Sequence, residues 1–220
     1  MNDPLTEPRP EPRPKPLAEP RAEPPSEPAG EPPWMELARA PGAFWVFGYG
    51  SLMWDPGFPY RESLPALLRG YHRGFCVYSL RYRGTPEAPG LVLGLDRGGS
   101  CRGIAYRVDP ADRDDVLAYL WEREMFTHTY RPRHLAVRLA GGDCTVQALT
   151  FVVNRTHTQY AGKLPTEEVA RLIAAGEGTR GRCHDYLMNT VRHLHALGLS
   201  SPPLTELAAI LAAPAARRGG

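Results

Sequence analysis

Twelve of the chain's 24 prolines fall within its first 33 residues, and the other twelve are scattered over the remaining 187. No other feature limits the fold as strongly, because it divides the chain into two materials. The leading segment repeats a loose Glu-Pro-Arg-Pro or Ala-Glu-Pro unit, as in EPRPEPRPKP and AEPRAEPPSEP. A stretch so poor in apolar side chains buries too little surface to offset its ordering entropy. Residues 1–33 are therefore expected to form a disordered, extended tail rich in Pro, Glu and Arg. Residues 34–215 are expected to form one well-cored domain.

The charge divides in the same way. The chain carries 26 basic and 24 acidic residues, for a net +2, while the first 33 residues hold seven acids and four bases. The folded part is left mildly basic. It lacks the concentrated basic stripe of a nucleic-acid binder but is compatible with an anionic small substrate. The four cysteines (Cys76, Cys101, Cys144 and Cys183) lie far apart with no CxxC pair. That spacing argues against zinc and against a disulfide framework, and points to a reducing compartment. No apolar run approaches the roughly 18 residues that span a bilayer. The start of the chain lacks the apolar stretch of a signal peptide. The expectation is a soluble cytoplasmic protein, with no membrane and no nucleic acid among its partners.

Hydrophobic periodicity outlines the domain. Ala43–Gly48 (AFWVFG) reads as a buried strand, and Gly74–Arg83 as another. Leu91–Asp96 and Arg102–Val108 read as two strands joined by a tight turn at Arg97-Gly98-Gly99-Ser100. At Asp109-Pro110-Ala111-Asp112 the period changes. Asp109 is suited to cap a helix and Pro110 to open it, and the helix should run to about Met125. Two more strands follow at His134–Leu139 and Thr145–Val153. Helices are expected from Thr166 to near Gly176, over His184–Leu197, and after Ser201-Pro202-Pro203. Strands broken by one helix and then followed by helices indicate an α+β fold: a small, mostly antiparallel β-barrel flanked by helices.

Chemistry has few places to reside. Gly48-Tyr49-Gly50 ends the first strand. Two glycines there permit either a close backbone approach to a ligand, with N–H groups offered to an anion, or simply a tight turn. On the helix, at about 100° per residue, Leu117, Leu120, Trp121 and Glu124 share one stripe, and Glu122 lies on the opposite face. Either Glu124 is a carboxylate turned into the core, where burial makes it a useful base, or the helix frays and leaves it solvated. Arg81 and Arg83, alternating on a strand, would present to one carboxylate or stand in water. The histidines show no ligand spacing, and no serine or cysteine has a nucleophile's context.

Val46-Phe47-Gly48-Tyr49-Gly50-Ser51-Leu52-Met53-Trp54, with Phe58-Pro59-Tyr60 after it, is the first of several linked motifs. Arg83-Gly84-Thr85 with Pro89-Gly90, Gly103-Ile104-Ala105-Tyr106, and Tyr119–Glu124 with Tyr130 follow in order. Tyr160-Ala161-Gly162 and Cys183–Asn189 complete the set. Across about residues 44–200 this pattern resembles the ChaC-type γ-glutamylcyclotransferases, and residues 1–33 have no counterpart in it. The resemblance implies a barrel flanked by helices and a lyase acting on glutathione. In that reaction the γ-glutamyl α-amine attacks its own γ-carbonyl and releases 5-oxoproline and Cys-Gly. The resemblance assigns the general acid/base to Glu124. It assigns substrate binding to Val46, Phe47, Gly48, Tyr49, Gly50, Ser51 and Leu52, with Arg83 on a substrate carboxylate and Tyr130 and Tyr160 as pocket walls. It requires no metal and no cofactor. A cyclotransferase for other γ-glutamyl amines, and a non-catalytic domain that keeps the fold, are the alternatives.

Overall fold

A computed structural model describes residues 43–125 and 127–213. The expected tail at 1–33 lies outside the described residues. Within them, the chain runs β1 (Phe44–Gly48), a single 3-10 turn (Ser51–Met53), β2 (Glu62–Ser79), β3 (Gly90–Val108), α1 (Arg113–Glu124), β4 (Tyr130–Leu139) and β5 (Thr145–Val153). It continues through α2 (Thr166–Ala175), β6 (Glu177–Gly178), β7 (Gly181–Arg182), α3 (Cys183–Ala196) and α4 (Pro202–Ala212).

The first five strands close into a barrel in the order β1-β3-β2-β4-β5. Every pairing is antiparallel except the closure, where Trp45 and Val46 of β1 lie parallel to Ala148 and Leu149 of β5. This is the α+β barrel expected from the residue pattern. All five residues of β1 are buried, which is why its sequence is an unbroken apolar run with no alternation. Phe47, Phe151, Leu68, Leu91, Leu95 and Leu149 from the strands are almost wholly buried, as are Leu117 and Leu120 of α1. Ile173, Leu187, Leu194 and Leu204 join them from the later helices. Each such side chain contributes about 1.5–3 kcal/mol by leaving water.

Two expectations are corrected here. The Arg97–Ser100 segment is no hairpin turn, because β3 runs through it as one strand of 19 residues. Arg69 faces Ser100 and Tyr71 faces Arg97, so Gly70 alone stands opposite the pair Gly98-Gly99. Two residues against one make a bulge, and all three glycines take positive φ (83°, 99° and 70°) to form it. The glycines bend a long ribbon and do not end it. Its partner β2 begins twelve residues before Gly74 and runs through Pro65 and Gly70. The second correction concerns α1. It starts at Arg113, three residues after Pro110, and its N-cap residue Asp112 makes no side-chain cap bond. Asp109 instead turns the chain by accepting from the Ala111 N–H at 3.1 Å.

No helix among the described residues is long and apolar enough to cross a membrane.

Candidate active site

The end of β1 is held from several sides. Past Gly48 the chain enters the 3-10 turn, closed by Met53 N–H donating to the Gly50 carbonyl at 2.9 Å. The leading N–H groups of such a turn have no acceptor within it. From β3, the Tyr106 hydroxyl sits 2.9 Å from both the Leu52 and Met53 carbonyls. From β2, the buried Arg73 donates through Nε to the Tyr49 carbonyl at 2.5 Å and through Nη2 to the Arg102 carbonyl at 2.6 Å. Beyond the turn, Trp54 stacks on His193 of α3 with 4.7 Å between ring centroids. A glycine at 103 is needed for this approach: a Cβ there would fall 2.2 Å from the Gly48 carbonyl oxygen and 2.7 Å from the Phe47 ring.

The loop faces a small cavity of about 60 Å³. Tyr49, Gly50, Ser51 and Leu52 form one wall. Tyr130 and Phe151 enter from the β4–β5 ribbon, Leu93 from β3, Tyr186 from α3 and Glu124 from α1. A larger cleft of about 450 Å³ lies elsewhere, between Leu67, Arg138 and the 140–143 turn, and shares no residue with this one.

Glu124 closes α1 and is the carboxylate of the cavity, with 17% of its side chain exposed. Burial raises its pKa, and the Arg123 guanidinium beside it, with Nε 3.3 Å from Oε1, pulls the other way. The phenols around it are held protonated. Burial raises Tyr49 and Tyr130 well above the ordinary value, and the negative charge of Glu124 adds to the rise. Tyr130 donates to the Leu93 carbonyl at 2.7 Å, which fixes its ring in the wall. The Tyr186 ring packs edge-on against Phe75 and beneath the Arg83 guanidinium, 5.3 Å from its centroid. Its helix is spliced onto β3 by Cys183, whose thiol donates to the Leu91 carbonyl at 2.9 Å.

The structure thus gathers Glu124, Tyr49, Gly50, Ser51, Leu52 and Tyr130 at one cavity. Val46, Phe47 and Gly48 lie just behind, in the buried strand that leads to the loop. Arg83 stands outside the lining, with Nη1 donating to the Arg180 and Arg182 carbonyls at 2.5 and 3.3 Å. It does not alternate with Arg81 on a strand, because β2 ends at Ser79. The 81–83 backbone instead accepts from the Thr179 and Arg180 N–H groups. Tyr160 is directed elsewhere. Its hydroxyl donates to the buried Asp96 at 2.7 Å, and Arg155 Nε reaches the same carboxylate at 2.6 Å. Burial of Asp96 pushes its carboxyl up, but Arg155, Tyr160 and the Arg97 N–H outweigh this and hold it below the usual range.

Sequence reasoning did not single out Arg73, Leu93, Phe151 or Tyr186. Tyr186 carries a readable signal: with Cys183, Leu187, Thr190 and Leu194 it follows the helical spacing of a buried stripe. Arg73 carries none, since only the fold places the Tyr49 carbonyl over it.

Comparison with known proteins gives the family of the chain. Residues 44–212 match the family described as ChaC-like protein. The chain belongs to that family. It is 38% identical over 166 residues to a glutathione-specific γ-glutamylcyclotransferase of Escherichia coli K12, spanning 76% of this chain and 71% of the relative. A human glutathione-specific γ-glutamylcyclotransferase 1 is 33% identical over 161 residues, 72% of each chain. The solved structure of a yeast γ-glutamyl cyclotransferase specific to glutathione superposes with a TM-score of 0.68 at 22% identity, covering 77% of this chain and 98% of that one. The last comparison speaks to the fold of this ChaC-like chain, which the barrel and its helices share.

Proposed function

We propose that the chain is a γ-glutamylcyclotransferase that cleaves glutathione to 5-oxoproline and Cys-Gly. The observation that carries this reading is a largely enclosed carboxylate, Glu124, that lines one cavity with the Tyr49–Leu52 loop in a ChaC-like chain. The cavity is far smaller than the roughly 300–1,000 Å³ that encloses drug-sized ligands. Only the γ-glutamyl head enters it, and Cys-Gly stays towards the mouth.

The substrate α-amine is protonated in water and must lose a proton to attack. Glu124, its pKa raised by burial, is matched to take that proton at neutral pH. The amine nitrogen then bonds to the γ-carbonyl carbon of the same molecule and closes a five-membered ring. Loop N–H groups between Tyr49 and Leu52 face the oxygen on which negative charge develops, where one lost donor costs roughly 10²–10³ in rate. As the carbonyl re-forms, the bond to the cysteinyl nitrogen breaks and Glu124 passes its proton to that nitrogen. Glu124 then takes the second proton from the ring nitrogen, leaving the neutral lactam N–H, and that proton departs on the Cys-Gly amine. No water is consumed, so the step is an elimination with internal transfer. Holding nucleophile and electrophile in one molecule supplies much of the acceleration. Tyr130 and Tyr186, neutral and packed, wall off water. Arg83 sits behind Tyr186, where its charge is available to a substrate carboxylate at the mouth.

The test is release of 5-oxoproline and Cys-Gly from glutathione by the purified chain, beside a panel of other γ-glutamyl amines and amino acids. Glutathione should show the highest kcat/KM. Faster turnover of another member would move the substrate assignment to it, and saturable binding without product would remove the enzymatic reading.

A further inference from the structure

We propose that Arg123 is a positioning residue for this reaction, clamping the Ser51–Pro56 segment onto α1 with the fork of its guanidinium while its Nε faces Glu124. The inference rests on the reading of Glu124 as the general base.

The contacts leave this side chain little freedom. Nη2 donates to the Ser51 hydroxyl at 3.0 Å. Nη1 donates to the Asp55 carbonyl at 2.8 Å, lies 3.3 Å from the Pro56 carbonyl, and meets the Tyr119 hydroxyl at 2.7 Å. Nε is 3.3 Å from Glu124 Oε1. One planar group therefore touches the cavity loop, the turn that follows it, and the carboxylate across from both. The turn itself is shaped to meet the clamp. Gly57 has φ 73°, and a Cβ there would fall 1.9 Å from the Tyr119 hydroxyl, so the backbone wraps directly over Arg123's own partner. A lysine has the charge but not the fork, and cannot satisfy Ser51 and Asp55 together.

Charge is the second half of the argument. The groups that face Glu124 from the packed elements are Tyr49 after β1, Tyr130 on β4, Tyr186 on α3 and Arg123 on α1, alongside the apolar Leu93 and Phe151. The three phenols stay neutral in the working range because burial raises them. Arg123 is the cation in this group. It favours the ionised carboxylate and offsets part of the cost of burying it. The same guanidinium thereby couples loop position to the protonation state of the base.

Two substitutions separate the two jobs, read as the pH profile of kcat/KM for 5-oxoproline release. Arg123→Met removes charge and fork. Its acid limb should move to higher pH, and kcat/KM at neutral pH should fall on the order of 10²-fold, as for a misplaced reacting group. Arg123→Lys keeps the charge. Its limb should stay where the wild-type limb lies, while kcat/KM falls by about tenfold or more. Ser51→Ala loses one clamp contact and should lower kcat without moving the limb, which keeps the test open if Arg123→Met fails to fold. An unmoved limb in Arg123→Met, an equal shift in both Arg123 variants, or wild-type rates in all three would overturn the inference. Glu124→Gln runs alongside. If it stays active, the base assignment fails, whereas an inactive Glu124→Gln beside unaltered Arg123 variants removes the Arg123 role alone.

Discussion

Replacing Glu124 by glutamine should separate catalysis from folding, and in opposite directions. The substitution preserves shape, and the amide oxygen can still accept from Arg123 Nε, now 3.3 Å from Oε1. What is lost is the site that takes the amine proton and returns it. General acid–base catalysis contributes about 10²–10⁴, so kcat/KM should fall by that factor, or about 3–5 kcal/mol on the barrier. The stability effect follows from burial. In the folded chain Glu124 holds its proton more tightly than in the unfolded chain, because burial disfavours its charged form. Between the ordinary carboxylate pKa and the raised folded value, the native state binds more protons. Wild-type stability therefore falls as pH rises through that window and stays lowered above it. Glutamine has no charge to bury, so the variant should be at least as stable as wild type at neutral pH. That advantage should vanish below the ordinary carboxylate range, where both side chains are neutral. The assay is 5-oxoproline release paired with urea unfolding at a neutral and an acidic pH. Activity within about tenfold of wild type would refute the base assignment. A stability loss of the same size at both pH values would refute the burial argument.

Three further outcomes are expected. Gly103→Ala drives a Cβ to 2.2 Å from the Gly48 carbonyl oxygen, so the end of β1 must shift. Thermal unfolding should register an overpacking cost of about 1–3 kcal/mol, with loss of turnover because the cavity loop starts there. Tyr160→Phe removes a bond to buried Asp96 at 2.7 Å and should cost about 1–3 kcal/mol at neutral pH, a loss that fades as falling pH protonates Asp96, with KM for glutathione unchanged. A raised KM would return Tyr160 to the substrate pocket. Deleting residues 1–33, proposed to lie outside the catalytic unit, should leave kcat/KM unaltered, and a large loss would show that the segment contributes to the site.

What the sequence determined by itself was local or motif-borne. β5 and α2 occupy the residues that the local sequence marked, because an apolar run ending in Phe151-Val152-Val153 and a helical stripe over Thr166–Ala175 are written in near neighbours. The inward phase of Glu124 follows from the same helical arithmetic applied to Leu117 and Leu120. Tertiary structure decided what depends on distant partners. The Gly98-Gly99 pair reads as part of a tight turn, and only its position opposite Gly70, across β2 and β3, makes it the bend of a continuous ribbon. Arg81 and Arg83 read as strand neighbours until the Thr179 and Arg180 N–H groups capture the Arg81 and Tyr82 carbonyls. Tyr160 reads as a pocket wall until Asp96 claims its hydroxyl. The cavity itself is of this second kind. Glu124 and Tyr130 lie six residues apart on consecutive elements, but Tyr186 and the loop are distant from them in sequence, and all meet because barrel closure brings β5 against β1 while Cys183 fixes the start of α3 to β3. Periodicity states which way a side chain points, and packing alone determines what stands opposite.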